Sequence, residues 1–326
     1  MAQLKRQGLP SEVRAILAAT GQDVPEDAIR RLARDLLNEF SRSFPDAVPP
    51  HNMEALASFR SIRLTPGKPL FSEDAELAPD GKGGVIMRIN SERPRTRQRF
   101  SIGHEIGHTL FPGYQSETHC RKTQNRDWAD SKDLIEYLCD VAASEFLFPE
   151  PWFHDDAKSV NGSAELIALA QKYQASPDAT ARRFIEVRND PQAVIFFRWK
   201  LKPTERRRAD DPKQHYMFGS RAAFEPQRKL RVEYSISNPA FDELGHHIPA
   251  DKSIDDQSVV SRASAEAECL DALEALDLGP LHGRFSVRAF PIFTSNSDLG
   301  PAGERSVAAL VSPATPKQRA KTRRPR

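Results

Sequence analysis

His104-Glu105-Ile106-Gly107-His108 is the stretch on which the reading of this chain turns. It sits in a segment that the flanking residues mark as helical, stopped by Pro112. Residues four apart share a helix face, so both imidazoles can reach one cation, and neutral imidazole suits zinc. The glutamate beside the first histidine is then placed to take a proton from a water activated by that cation. Gly107 inside a helix costs about 1 kcal/mol against alanine, which points to close approach of another backbone there.

A catalytic zinc site takes a third protein ligand and keeps one position open. The next helix, expected from Ser131 to Phe148 and stopped by Pro149, carries Glu136 and Asp140, again four apart. Glu136 is the candidate third ligand. Asp140 is the candidate acceptor for the second N–H of a ligating histidine, fixing its tautomer and orientation. Leu134, Ile135, Leu138, Val141, Ala142 and Phe146 make the rest of that helix apolar. Acids on a buried helix are costly without a cation, so position strengthens a pair that spacing alone leaves weak.

These segments resemble the ImmA/IrrE family of metallopeptidases. The resemblance rests on Arg97-Gln-Arg-Phe-Ser-Ile-Gly103 leading into the histidine motif, and on Glu136-Tyr-Leu-Cys-Asp-Val-Ala-Ala-Ser-Glu-Phe-Leu-Phe-Pro149. It covers about residues 25–200. It implies a gluzincin-like zinc peptidase core, with His104, His108 and Glu136 as ligands and Glu105 as general base and then acid. It implies a helix–turn–helix transcriptional repressor as substrate, cleaved after a stress signal. Zinc is the expected metal, with another divalent ion such as manganese as alternative. Cys139 stands where the family usually has alanine, and Ala142 where it has phenylalanine; the thiol raises the question of a redox-sensitive site. The donor that would steady the oxyanion is not identified; Tyr114, His119, His154 and Tyr173 are candidates by position. His119-Cys120 is a weak hint of a second metal site. The strand Val85 to Asn90 is read as a cleft edge to which an extended substrate could add.

Further along, two helices at 163–173 and 177–188 flank a tight turn, where the family often carries a glycine and this chain has Gln174. Arg182, Arg183 and Arg188 decorate the second helix and are the candidate DNA contacts, against the alternative that the pair only packs or docks a protein. Strand-like alternation follows at 230–236, 285–289 and 306–312, with a helix expected from Ala263 to Leu276 and a short strand earlier, near Phe59 to Leu64.

The expected fold is therefore α+β in four parts. Residues 1–160 form the zinc peptidase domain, 161–208 the helix–turn–helix segment, and 209–314 an α+β domain that resembles the sensor-like, GAF-like domain of the IrrE branch. Residues 315–326 form a basic disordered tail. A chain of 326 residues with 47 basic and 45 acidic side chains has net charge +2, which argues against a histone-like polycation. Charge is uneven along it: −3 over 1–160, +5 over 161–208, −6 over 209–316 and +6 from Lys317 onward. Any DNA contact is thus confined to 161–208 or the tail. No secretory signal, no membrane-length apolar run and only three scattered cysteines point to a reduced, cytoplasmic protein with no membrane partner. The rival to a regulatory endopeptidase is a DNA-binding transcriptional regulator whose metal site is not catalytic.

Overall fold

The computed structural model describes residues 8–67, 74–116, 119–120, 131–209, 227–292 and 305–314. The basic tail and much of the loop around His119 lie outside these residues. The architecture is mixed α and β, in two compact units: residues 1–158 with 170–176, and residues 159–169 with 177–326.

The first unit begins with three helices, α1 (Ser11–Thr20), α2 (Pro25–Ser43) and α3 (Met53–Phe59). Helix α2 starts on Pro25, which needs no N–H partner in a first turn, and buries Ile29, Leu36, Leu37 and Phe40 along one face. Where a strand was expected near Phe59, the chain is helical through Phe59. Asn52 caps the turn by accepting from the Ala55 N–H, and Met53, Leu56 and Ala57 bury at helical spacing. Extended chain begins at Ile62, in β1 (Ile62–Gly67). With β2 (Ala75–Pro79), β3 (Val85–Asn90) and the two-residue β4 (His119–Cys120) it forms a sheet of order β1-β3-β2-β4. β3 runs parallel to β1 and antiparallel to β2. Residues 85–90 are thus an interior strand, hydrogen-bonded on both sides, with Val85, Met87 and Ile89 buried. No substrate can pair with them; the edges are β1 and β4.

Three further helices complete this unit: α4 (Arg95–His108), α5 (Ser131–Leu147) and α6 (Trp152–Lys158). The arginine-rich stretch before the histidine motif is structural. Arg93 and Arg97 both pair with the buried Asp74 at 2.8 Å, Arg95 pairs with Glu54, and Arg99 donates to the His51 carbonyl at 3.1 Å. Helix α4 has no acid in its first turn, and Arg97 on it is held by Asp74.

Helices α7 (Ser163–Lys172) and α8 (Pro177–Val187) form where expected, and Gln174 between them holds φ +50°, a conformation that favours glycine. They do not make a unit of their own, because the boundary between the two compact units runs through α7 and again before α8. After them come β5 (Ala193–Lys200), α9 (Pro203–Ala209), β6 (Lys229–Ser237), α10 (Pro239–Asp242) and α11 (Val259–Glu266). The chain then forms β7 (Leu270–Asp277), β8 (His282–Pro291) and β9 (Val307–Pro313). The five strands make an antiparallel sheet of order β6-β5-β9-β8-β7. Its core gathers Ile195, Phe197, Val232, Val287 and Val311 against Val260 and Ala263 of α11.

Two expectations change here. β5 lies inside this sheet, between β6 and β9, so residues 193–200 belong with the C-terminal strands rather than with a 161–208 segment. Its apolar run, Val194 to Phe197, is buried on both faces of the sheet. The helix expected over 263–276 ends at Glu266, where Ala267 turns left-handed at φ 59°, and Leu270, Leu273 and Leu276 lie on the edge strand β7.

Candidate metal centre

Helices α4 and α5 cross at unusually close range, and the reason is in their small residues. A Cβ on Gly107 would lie 3.1 Å from the Cys139 Cα and 3.2 Å from its carbonyl oxygen, and one on Gly103 would lie 3.3 Å from the Ala143 Cα. The two glycines are one turn apart on α4, and Cys139, Ala142 and Ala143 face them from α5. The expectation that Gly107 admits another backbone is met, and Ala142, where the family usually has a larger side chain, is one of the contacts.

This crossing brings the acids of α5 to the histidines of α4. His104 Nδ1 lies 2.7 Å from Asp140 Oδ1 and its Nε2 lies 3.2 Å from Glu136 Oε2. His108 Nε2 lies 3.4 Å from Glu136 Oε1. The imidazole centroids are 5.0 Å apart with rings at 74°. His104, Glu105 and His108 are fully buried, while the Glu136 and Asp140 side chains keep 24% and 28% exposure, so the site opens on the α5 side. Cys139, buried and in no disulfide, places its sulfur in a group with ligand atoms of both histidines, all within 4.8 Å of one another. Of the two candidate third donors, Glu136 contacts the Nε2 atoms of both rings, and Cys139 is an additional soft donor beside them.

Whether these residues suit a metal can be tested on the spacing. Two donors held tetrahedrally at zinc distances of about 2.0–2.1 Å lie about 3.3 Å from each other. The Glu136 oxygens stand 3.2 and 3.4 Å from the two Nε2 atoms, and the donor types are those zinc takes. Asp140 on Nδ1 leaves the Nε2 lone pair of His104 available to a cation, the arrangement common to histidine ligands. Burial alone pushes the His104 imidazole toward neutrality. Its hydrogen bonds to Asp140 and Glu136 outweigh that and, without a metal, push its pKa up to about 9. A proton then does part of a cation's work between the two acids.

The other sequence candidates fall apart from this cluster. Tyr173 is buried and donates its hydroxyl to Asp156 at 2.7 Å, packed among Phe148 and Phe153, so it belongs to a core rather than to an oxyanion site. Tyr114 accepts a hydrogen bond from Gln115 at 3.3 Å in a short 3-10 turn, and the His119 and Cys120 side chains lie outside the described residues. His154 sits on α6. The candidate DNA-contact arginines are engaged within the protein. Arg183 is 2% exposed and pairs with Glu186 at 3.0 Å, which withdraws it from any duplex. Arg182 pairs with Asp178 at 2.9 Å and lies over the Phe196 and Tyr234 rings; Arg188 pairs with Asp190 at 2.6 Å. Sequence reasoning missed Glu145, which is fully buried on α5 and takes Arg34 of α2 at 2.9 Å. Its signal was present in the acid spaced nine residues beyond Glu136 on the same apolar helix.

Residues 68–184, which include the histidine motif and both acids, match the IrrE N-terminal-like domain of the M78 peptidase family. Through this segment the chain resembles the ImmA/IrrE family. It is similar to the radiation response metalloprotease IrrE of Deinococcus radiodurans, with 29% identity over 131 residues. That alignment takes in 39% of this chain and 38% of the relative, so the chain spans under half the length of the curated relative it matches. Among solved structures, a Mycobacterium tuberculosis transcriptional regulator shares the fold, at TM-score 0.50 and 14% identity, over 89% of this chain and 82% of that one.

Proposed function

We propose that this chain is a zinc-dependent regulatory endopeptidase. The observation that carries the reading is the approach of the His104 and His108 Nε2 atoms to the two Glu136 carboxylate oxygens, at 3.2 and 3.4 Å, with the buried Glu105 beside them. His104, His108 and Glu136 would hold the metal, and Asp140 would orient the His104 ring through Nδ1. A zinc ion bound there supplies Lewis acidity toward water and a peptide carbonyl. Glu105 takes the proton of the attacking water and returns it to the leaving amine. Its burial keeps that proton from bulk solvent during transfer.

The substrate we propose is a helix–turn–helix transcriptional repressor, cleaved in a cytoplasmic stress response. The family of the matched segment and the radiation-response role of the Deinococcus relative support this choice. No helix among the described residues is long and apolar enough to cross a membrane. The five-stranded antiparallel sheet with α11 on one face supports a sensor-like role for the C-terminal unit, of the GAF-like type. The rival reading, a DNA-binding regulator with an inert metal, gains little from arginines already held by Asp178, Glu186 and Asp190.

Glu105→Gln separates the two. The amide keeps the volume but accepts no proton, so repressor cleavage should fall by roughly 10²–10⁴-fold while zinc content is unchanged. Cleavage at the wild-type rate by this variant would overturn the enzyme reading. His104→Ala should lose zinc as well.

A further inference from the structure

The antiparallel sheet of the second unit ends on β6 at one side and on β7 at the other, and the two edges are built differently. A strand edge presents backbone N–H and C=O groups that another strand can take up; folded proteins cover it, bulge it or place lysine on it. The β6 edge has all three protections. The Val232 N–H donates to the Lys252 carbonyl at 2.8 Å, the Asp251 N–H to the Val232 carbonyl at 2.8 Å, and the Ile254 N–H to the Leu230 carbonyl at 3.0 Å. Residues 251–254 therefore lie along it. No residue of β5 stands opposite Glu233, which makes a bulge, and Lys229 opens the strand.

The β7 edge has none of these. It pairs with β8 in unbroken register from Leu270 to Asp277 and contains neither lysine nor proline. Among the described residues, no backbone hydrogen bond leaves residues 270–277 except toward β8. Leu270 and Ala272 pack against the core of the sheet but stay only half-buried, and Asp271, Ala275 and Asp277 are exposed.

The strand Leu270-Asp-Ala-Leu-Glu-Ala-Leu-Asp277 is complementary to its own reverse. Antiparallel partners share a face, so a twofold axis relating two such strands falls opposite one residue, not between two. With the axis at Leu273, Leu273 meets its own copy, Leu270 meets Leu276, Asp271 meets Ala275 and Ala272 meets Glu274. No acid then faces an acid. Glu274 is already engaged at the start of α11, where it accepts from the Ser258 hydroxyl at 2.6 Å and the Val259 N–H at 3.0 Å, and the small Ala272 leaves it there. With the axis at Glu274, that acid would meet its own copy and Asp271 would meet Asp277; like charges directly opposite are destabilising. With the axis at Ala272, Leu270 would meet Glu274 and Asp271 would meet Leu273, which sets apolar side chains against charges.

We propose that β7 is a self-association edge, on which a second copy of this chain pairs antiparallel about a twofold axis at Leu273. The two sheets would join into one continuous sheet, and Leu270 with Leu276 would carry the core across the junction. The metal donors take no part in this pairing.

Sedimentation velocity on the full chain tests it. The mass should rise from one copy toward two with increasing concentration, in metal-loaded and chelated protein alike. Leu273→Lys sets two like charges against each other at the axis and should weaken association by about tenfold or more, with the circular dichroism spectrum unchanged. Ala275→Arg, at an exposed position, faces the partner subunit's Asp271 in this register and should tighten association by about threefold or more. A monomer at every concentration, a mass that grows past two copies, a dimer indifferent to Leu273→Lys, or one that Ala275→Arg fails to tighten would each overturn the proposal.

Discussion

His104 shows how one side chain can be held by opposing forces. Full burial works against its charge, and two carboxylates work for it, with the balance at a pKa of about 9 in the metal-free protein. An imidazole in an unfolded chain titrates near ~6.5. The folded value is raised, so the stabilisation it brings is fully present below about pH 6.5 and is lost as pH rises through about 9. Thermal melts of chelator-treated protein should therefore show the midpoint falling across that window. Zinc must displace the same proton, so its apparent affinity should rise over the same interval, which competitive chelator titrations would measure. A flat pH profile for both would remove His104 from the site. Asp140→Asn bears on the second nitrogen of the ring. Loss of its carboxylate should lower zinc affinity by roughly 10–100-fold while leaving the α4–α5 core in place.

At the scale of elements, the α4–α5 crossing decides whether the donors meet at all. Gly107→Ala gains about 1 kcal/mol of helix propensity, yet its methyl would press on the Cys139 backbone at 3.1 Å. Overpacking of that kind costs about 1–3 kcal/mol, and backbone cannot yield as a side-chain tip can. The variant should lose about 1 kcal/mol of stability, read from denaturant melts, and bind zinc more weakly because the helices move apart.

The two side-chain pairs that meet at the α4–α5 crossing were legible in the sequence because each pair is local. Pairs four apart on each of two helices fix His104 with His108 and Glu136 with Asp140, whatever the tertiary fold. Signals that depend on pairing across the chain were not. The alternation in Val85–Asn90 showed a strand but not that β1 and β2 would cover both its edges. Leu270, Leu273 and Leu276 looked helical because the true stop, Ala267 at φ 59°, lacks the glycine that usually marks it. Arg182, Arg183 and Arg188 looked like a basic face although their carboxylate partners Asp178, Glu186 and Asp190 stand only two to four residues away; what needed the fold was the burial of Arg183 and the placing of Arg182 over Phe196 and Tyr234.

For the whole molecule, the division into two compact units matters more than the sum of charges. The near-zero total conceals a basic tail outside the described residues and a basic stretch whose named arginines are already paired. The candidate metal donors all lie in residues 1–158, while the second unit has its own core around β5, β9 and α11. A chain with two cores need not unfold as one cooperative unit. Ligand binding stabilises only the part that holds the ligand, by about 2.7 kcal/mol at a hundredfold excess over Kd. Calorimetry should thus resolve two transitions, with chelation lowering the midpoint of one and leaving the other in place. Val260→Asp, in the core of the second unit, should lower the other transition and leave the chelator-sensitive one unmoved. If chelation shifted both transitions equally, the metal would be stabilising both units together, and the independence of the two cores would be lost.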